Sequence, residues 1–229
     1  MELDKGKLLF NDRFDAGRQL AQQLTGYKGK PVLVLAIPNG GVPMGLEVAR
    51  ALEADLDVVI VRKLPLPLNP DAGFGAVADD GSLIVNDDLI SRTGLTKDRI
   101  NAIVTKVKGD IRQRSLLYRK DKPLALARGK SVIITDDGLA SGFTMKAAVE
   151  SVRHRRPAEI IVAVPVASAA ALELITPVAD NVITVATSTQ PRFAVAEFYR
   201  RWTDLTDNEV LKILEQYKSE RFWTSAKPQ

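Results

Sequence analysis

Short apolar runs alternate with segments of helical periodicity along most of the chain. The runs are brief and rich in β-branched residues, which is typical of strands buried on both faces of a sheet. They cover residues 31–37, 56–61, 131–135, 159–165 and 181–186. Alternation of such strands with helices predicts an α/β fold in which a parallel sheet is flanked by helices.

The segments between these runs carry apolar residues every three or four positions, which predicts amphipathic helices. Thr96 is expected to cap a long helix, and Thr206 opens a capping box with Glu209 in front of the final helix. The other predicted helices cover residues 14–24, 42–52, 145–153 and 168–175.

Residues 64–81 interrupt the pattern, because they are rich in Pro, Gly and Asp and have no helical period. A stretch of this length without regular structure inside a domain is usually functional. The sequence therefore predicts a flexible loop here, followed by a short strand within residues 82–85.

The residue content excludes several kinds of site. The 229 residues include no Cys and one His, His154. Disulfides, a thiol nucleophile and cysteine-ligated metals are therefore excluded, as is a metal centre with several histidines. A Ser–His–Asp relay would have to run through His154. Since His154 lies among arginines at a predicted helix C-terminus, we interpret it as a surface residue.

The charge pattern does not select one ligand class. The net charge is +4, which suits an anionic small molecule as well as a nucleic acid. Residues 99–130 hold ten basic and two acidic side chains, for which we favour a solvated helix face over a nucleic-acid surface. The chain has no apolar run of about 18 residues and no signal-peptide pattern, so a cytoplasmic protein outside the membrane is expected.

Two adjacent carboxylates, Asp136 and Asp137, end the strand at residues 131–135, and a loop of small and hydroxylated residues follows. Free backbone N–H groups at the start of the next helix favour a phosphate. The carboxylates would repel a phosphate, but they suit the hydroxyls of a sugar whose phosphate the loop holds. The alternative is that the carboxylates cap the next helix and Gly138 makes the turn.

The segment 132–144 resembles the signature of the type I phosphoribosyltransferases: a hydrophobic strand, two acidic residues and a small loop that usually ends in Thr-Gly-x-Thr. Ser141 replaces the first Thr and keeps its hydroxyl. The resemblance implies that Asp136 and Asp137 bind the ribose hydroxyls of phosphoribosyl pyrophosphate (PRPP). It also implies a 5′-phosphate site made of Gly138, Leu139, Ala140, Ser141, Gly142, Phe143 and Thr144.

The resemblance extends over most of the chain and is nearest to a subgroup of uncharacterised bacterial and archaeal phosphoribosyltransferases. It implies a pyrophosphate-binding loop at Asn39, Gly40 and Gly41, where that subgroup is expected to have Arg in place of Asn39. Arg62 and Lys63, at the predicted end of the second strand, are expected to contact the pyrophosphate as well.

We therefore expect a catalytic set of Arg62, Lys63 and Asp137. The resemblance implies a Mg²⁺ cofactor that PRPP itself holds for the most part, with Asp136 and Asp137 as ligands through water. The loop at residues 64–81 is expected to close over the reacting centre and exclude water.

The domain organisation implied by the resemblance is one domain with a core of about 30–186 and a hood made of about 1–29 and 187–229. Phe193 is expected to stack on the base of the acceptor. We expect the neighbouring aromatic residues Phe198, Tyr199 and Trp202 to form the interior of the hood. A homodimer is a further expectation from the family.

The resemblance indicates an enzyme that transfers the 5-phosphoribosyl group of PRPP to a nitrogen acceptor, such as a nucleobase, and releases pyrophosphate. The alternative is a regulatory protein that senses PRPP or a nucleotide without transferring it. Asn39 and the basic stretch 99–130 favour that alternative, while the lack of an added nucleic-acid-binding motif speaks against it. A P-loop kinase is excluded, because GxxxxGK[ST] does not occur.

Overall fold

The computed structural model describes residues 8–67, 69–119, 124–190 and 192–225. Residues 1–7, 191 and 226–229 of the predicted hood therefore lie outside the described residues. The same holds for residues 120–123 of the basic stretch and for Leu68 of the predicted loop.

The predicted apolar runs form one parallel sheet of five strands in the order β2-β1-β6-β7-β8. This confirms the predicted α/β fold. The register places Leu33 of β1 beside Asp55 of β2 on one side and Val132 of β6 on the other. The eight strands of the described residues are β1 (Val32–Ala36), β2 (Asp55–Val58), β3 (Val61–Leu66), β4 (Asn69–Ala78), β5 (Leu83–Val85), β6 (Ser131–Thr135), β7 (Glu159–Ser168) and β8 (Asn181–Ser188).

Both faces of this sheet are covered by helices, which explains why its strands are continuously apolar. In β1, Val34 and Ala36 pack into the core on one face, while Leu33 and Leu35 pack into the core on the other. The helices are α1 (Arg13–Gln23), α2 (Gly41–Leu52), α3 (Asp87–Thr93), α4 (Lys97–Arg119), α5 (Phe143–Arg153), α6 (Ala169–Ile175) and α7 (Asp207–Ser225).

The helix ends carry the expected caps. Thr96 accepts from the N–H of Arg99, and the Thr206 capping box is made in both directions with Glu209. The short helix α3 was not predicted. Its sequence signal is Asn86, whose side chain accepts from the N–H of Leu89 at 3.0 Å.

The prediction of a flexible loop at residues 64–81 is wrong. Most of that range lies in β3 and β4, which with β5 form a separate antiparallel sheet. Phe74 is fully buried, so the segment contributes to the core. A Cβ on Gly75 would lie 2.2 Å from the carbonyl oxygen of Ile84, which shows that this glycine permits close approach of paired strands.

The first described residues pack against a segment that follows β8. We call residues 8–29 and 192–206 the hood. The backbone N–H groups of Leu9 and Phe10 donate to the carbonyl of Phe198 at 3.0 and 3.1 Å. Phe10 and Tyr199 are buried, with ring centroids 5.3 Å apart. Aromatic packing thus joins two segments that lie far apart in the sequence.

The final helix α7 packs across the edge of the main sheet. The hydroxyl of Tyr217 donates to the carbonyl of Ala54 at 2.6 Å, and Glu220 accepts from Arg50. Among the described residues, the structure contains no helix that is long and apolar enough to cross a membrane.

Candidate functional site

Two adjacent carboxylates follow β6, at the sheet edge where parallel α/β folds bind ligands. The backbone N–H of Asp137 donates to Oδ1 of Asp136 at 2.8 Å. The carboxylate of Asp137 is paired with a cation, because its Oδ2 lies 3.0 Å from Nε of Arg13. The two neighbours therefore differ in their electrostatic surroundings.

Arg13, on the hood helix α1, binds both Asp137 and the second segment of the hood. Its side chain is buried, and Nη1 donates to the carbonyl of Thr203 at 2.6 Å. Its guanidinium carbon lies 3.8 Å from the ring centroid of Trp202. The hydroxyl of Tyr199 donates to the carbonyl of Asp137 at 2.7 Å. These contacts hold the hood against the end of β6.

The burial of this pair changes its acid–base properties. Burial raises the pKa of Asp136 well above its usual range, and the charge of Asp137 raises it further. Burial also raises the pKa of Asp137, while the guanidinium of Arg13 acts in the opposite direction. Arg13 balances the negative charge of Asp137. The charge of Asp136 would be stabilised by hydroxyl donors or by a cation beside it.

The predicted phosphate loop, residues 138–144, is anchored to the neighbouring strand β7. The N–H of Leu139 donates to the carbonyl of Val166, and its own carbonyl accepts from the N–H of Ser168, both at 2.9 Å. The hydroxyl of Ser168 donates to the carbonyl of Ala140 at 2.7 Å. The backbone path of the loop is thus fixed by the sheet.

Two glycines of this loop are required by geometry. A Cβ on Gly138 would lie 2.8 Å from both methyl carbons of Val195, so only a hydrogen fits beside the hood. Gly142 has a φ of +79°, in the left-handed region that favours glycine, and α5 begins at the next residue. The first N–H groups of α5 have no partners within the helix and are free to bind an anion.

Two neighbouring cavities, of about 470 and 390 Å³, lie beside Asp136 and share Lys63, Asp136 and Thr144. The first also contacts Pro38 and Arg62. The second is lined by the phosphate loop, including the residues Gly138, Leu139, Ala140, Ser141 and Gly142. The structure thus gathers Arg62, Lys63, Asp136 and the loop around one space.

The sequence predicts that Arg62 and Lys63 end the second strand. In the structure this prediction is wrong. Strand β2 ends at Val58, and the carbonyl of Ile60 already accepts from the N–H of Asp79 beside the second sheet. The two cations therefore lie at the start of β3. A Cβ on Gly73 would lie 2.3 Å from Cγ of Lys63, so glycine lets this side chain lie across the hairpin.

Arg62 is partly buried, and burial together with the nearby cation Arg114 lowers its pKa. Lys63 is exposed and lines both cavities. Cations so arranged beside a cavity favour an anionic ligand.

The predicted pyrophosphate loop packs directly on the carboxylate pair. A Cβ on Gly40 would lie 2.0 Å from Oδ2 of Asp137, and one on Gly41 would lie 2.6 Å from the carbonyl oxygen of Thr135. Both glycines are needed for close approach. The side chain of Asn39 hydrogen-bonds to residues of α4 and the start of α7, which the sequence analysis did not foresee.

Phe193 lies in the hood and is partly buried, with its ring centroid 5.3 Å from that of Phe198. Its predicted contact with the base of an acceptor stays a prediction. Tyr199 is buried, and its ring packs against Trp202 at a centroid distance of 5.1 Å.

Few side chains of the site could bind a metal ion. Among the residues that the structure describes, there is no cluster of three or more His, Asp or Glu side chains suited to hold an ion. Mg²⁺ commonly binds through one or two carboxylates, with waters and substrate phosphates as its other ligands. Asp136 fits that role, so the residues present are compatible with Mg²⁺ held mainly by a phosphorylated substrate.

The single histidine lies on the surface, beyond the C-terminus of α5. Nδ1 of His154 is 3.0 Å from Oδ2 of Asp80, and this contact raises the pKa of His154. The stabilisation from the contact is present below the histidine pKa of the unfolded chain and is lost as the pH rises through the folded value. We expect an NMR titration to give a pKa above about 6.5, the unperturbed value for His.

The matched variant is Asp80→Asn, which is expected to return the pKa of His154 toward its ordinary value without affecting ligand binding. An unshifted pKa of His154 in the wild type would contradict this prediction. Because the chain has one His, its ring signals need no separate assignment.

The chain is similar to known proteins over most of its length. Residues 9–197 match the phosphoribosyl transferase domain family. Two Mycobacterium tuberculosis proteins, from strains CDC 1551 / Oshkosh and ATCC 25618 / H37Rv, carry the words phosphoribosyl transferase in their names. Each is 39% identical over 208 residues, which are 91% of this chain and 47% of theirs. The chain thus spans about half the length of these curated relatives.

A solved structure has the same fold over most of its length. The crystal structure of TT1426 from Thermus thermophilus has 34% sequence identity and a TM-score of 0.74, and the match covers 91% of this chain and 99% of that one. The family match covers most of the core and its two loops at the carboxyl edge of the sheet. The chain therefore belongs to the phosphoribosyl transferase family.

Proposed function

We propose that this protein transfers the 5-phosphoribosyl group of PRPP to a nitrogen acceptor, a nucleobase, and releases pyrophosphate. The observation that carries the proposal is the position of Asp136. It lies between the phosphate loop on one side and the cations Arg62 and Lys63 on the other, in contact with both cavities. PRPP has its ribose hydroxyls between two phosphate groups in the same way.

The proposed binding mode follows from this arrangement. The 5′-phosphate binds the N–H groups of residues 138–144 and the hydroxyls of Ser141 and Thr144. The ribose hydroxyls donate to Asp136. The pyrophosphate group binds Arg62, Lys63 and the backbone of the loop at Gly40, while the N–H of Gly41 donates to the carbonyl of Ile37 and holds the turn. Mg²⁺, when bound, neutralises charge on the pyrophosphate, and Asp136 is the residue placed to hold it through water.

The reaction breaks the bond between the ribose C1 and the pyrophosphate oxygen, the acceptor nitrogen forms the new bond to C1, and the proton that this nitrogen loses goes to solvent. The electron pair leaves with the pyrophosphate, whose growing negative charge Arg62 and Lys63 stabilise. The positive charge that develops on the ribose lies beside Asp136. Because the phosphate loop fixes the sugar, much of the rate enhancement comes from positioning.

A second candidate function is a PRPP sensor without transferase activity. The position of Asn39 favours it, because the carboxamide adds no cation to the pyrophosphate loop and is engaged by other residues. Such a protein would bind PRPP and be stabilised by it, yet release no pyrophosphate with any base.

A screen of nucleobases with PRPP and Mg²⁺ separates the two candidates, with pyrophosphate release as the readout. We expect release with at least one base, and loss of that release in Asp136→Asn. Binding of PRPP by calorimetry with no release across the screen would support the sensor. An absence of PRPP binding would overturn both.

A further inference from the structure

The carboxamide of Asn39 is saturated with hydrogen bonds from two distant parts of the chain. Its Nδ2 donates to the carbonyl of Leu205 at 2.6 Å and to Oδ1 of Asp207 at 3.0 Å. Its Oδ1 accepts from Nη1 of Arg114 at 2.8 Å, and the hydroxyl oxygen of Tyr118 lies 3.1 Å from the same atom. We call these five residues the Asn39 clamp.

The partners within the clamp also bind one another. The hydroxyl of Tyr118 donates to Oδ1 of Asp207 at 2.7 Å, and Nη2 of Arg114 lies 3.1 Å from the same oxygen. Burial and the bond to Asp207 raise the pKa of Tyr118, while the bonds from Tyr118 and Asn39 hold the pKa of Asp207 below its usual range. The clamp is therefore one connected network of part-buried groups.

The network needs an amide at position 39. Only a carboxamide presents a donor toward Leu205 and Asp207 and, at the same time, an acceptor toward Arg114. An arginine at this position has no acceptor and would face the guanidinium of Arg114. An aspartate has no donor and would face the carboxylate of Asp207.

We propose that Asn39 is a positioning residue that holds the Gly40–Gly41 backbone in place for pyrophosphate, by fastening the loop to α4 and to the start of α7. This rests on the proposed function, because pyrophosphate is the ligand that the loop receives. The side chain of Asn39 itself does not bind the ligand. It acts through the backbone of Gly40 and Gly41, which lies on the carboxylate of Asp137 and the end of β6.

The clamp also explains where positive charge is placed near the loop. Arg114 is close enough to Arg62 to lower its pKa, and Asn39 orients Arg114 through a direct hydrogen bond. Asn39 thus fixes the loop backbone and also the guanidinium of Arg114. That guanidinium lies near Arg62, which lines the larger cavity. On this basis, an arginine at position 39 would weaken pyrophosphate binding, because it would displace Arg114.

The test compares Asn39→Asp with the double variant Asn39→Asp/Asp207→Asn, which exchanges the carboxamide and the carboxylate across the network. Calorimetry with Mg²⁺ pyrophosphate and, separately, ribose 5-phosphate measures the two halves of the site. We expect Asn39→Asp to raise the Kd for pyrophosphate at least tenfold and to leave that for ribose 5-phosphate within twofold. The double variant is expected to recover part of the loss, because it removes the repulsion between two carboxylates but leaves the carbonyl of Leu205 without its donor.

Asn101→Asp is the matched control, since Asn101 is exposed on α4. This variant is expected to change neither the Kd for pyrophosphate nor that for ribose 5-phosphate. Tyr118→Phe is a milder variant that keeps the test valid if Asn39→Asp does not fold. It is expected to raise the Kd for pyrophosphate two- to fivefold and to leave the Kd for ribose 5-phosphate within twofold.

Three results would overturn the positioning role. One is an unchanged pyrophosphate Kd in Asn39→Asp and Tyr118→Phe, and another is an equal loss for both ligands. The third is a double variant that is no better than Asn39→Asp. A wild-type protein that binds neither ligand nor PRPP would overturn the proposed function itself, and the positioning role with it.

Discussion

Asp136→Asn is expected to weaken PRPP binding by about ten- to a hundredfold while leaving the thermal stability close to that of the wild type. The substitution keeps the shape of the side chain and removes charge-assisted hydrogen bonds to the ribose, which contribute roughly 1.5–3 kcal/mol. Calorimetric titration with PRPP measures the loss. Because burial raises the pKa of Asp136, the difference from the wild type is expected to shrink as the pH falls through that raised value.

The neighbouring variant Asp137→Asn is expected to behave differently. It leaves the buried guanidinium of Arg13 without its counter-charge, so we expect the free energy of unfolding to fall by about 1–3 kcal/mol. Asp88→Asn, on the exposed face of α3, is the control for both substitutions. Equal losses of PRPP affinity in Asp136→Asn and Asp137→Asn, with unchanged stability in both, would contradict this division of roles.

The parallel sheet could be predicted from the sequence because burial on both faces leaves a continuous apolar run in each strand. The hairpin formed by β3 and β4 could not, since composition alone treats Gly and Pro as signs of a loop. Here Gly73 and Gly75 allow close packing against Lys63 and Ile84. The apolar residues from Phe74 to Ala78 were the signal that could have identified a strand.

The positions of the carboxylate pair and of the loop 138–144 at the end of β6 could also be predicted, because they form one contiguous segment. The partners of the site could not be found in this way. Arg13 is 124 residues from Asp137, and Asp207 is 168 residues from Asn39. A local pattern contains no information on such pairing, so the sequence alone assigns no role to Arg13, which precedes the predicted helix 14–24.

From the sequence alone, Asn39 is interpreted as the loss of a cation, because the subgroup is expected to have arginine at this position. The structure shows that the carboxamide binds both a carboxylate and a guanidinium. Charge at one position is therefore a poor guide to the charge around the loop, since Arg114 comes from another element and lies beside the same residue.

Gly41→Ala is expected to lower transferase activity by about a hundredfold or more. Alanine in the first turn of a helix is intrinsically preferred to glycine by up to about 1 kcal/mol. At this position, however, the Cβ would lie 2.6 Å from the carbonyl oxygen of Thr135 and 3.0 Å from Cα of Asp136. Both are backbone atoms at the end of β6, so the loop must move away from them.

The steric effect is expected to exceed the helix preference for alanine, because overpacking against backbone costs about 1–3 kcal/mol. A displacement of about 1 Å at a reacting centre can lower a rate a hundredfold. Pyrophosphate release from PRPP measures the activity. The matched control is Gly109→Ala on α4, where a Cβ would meet no atom within 4 Å. That variant is expected to keep full activity and to gain about 0.5–1 kcal/mol in unfolding free energy, since a helix interior favours alanine. Full activity in Gly41→Ala would show that the pyrophosphate loop tolerates displacement from the carboxylate pair, and that their close packing is not needed for the reaction.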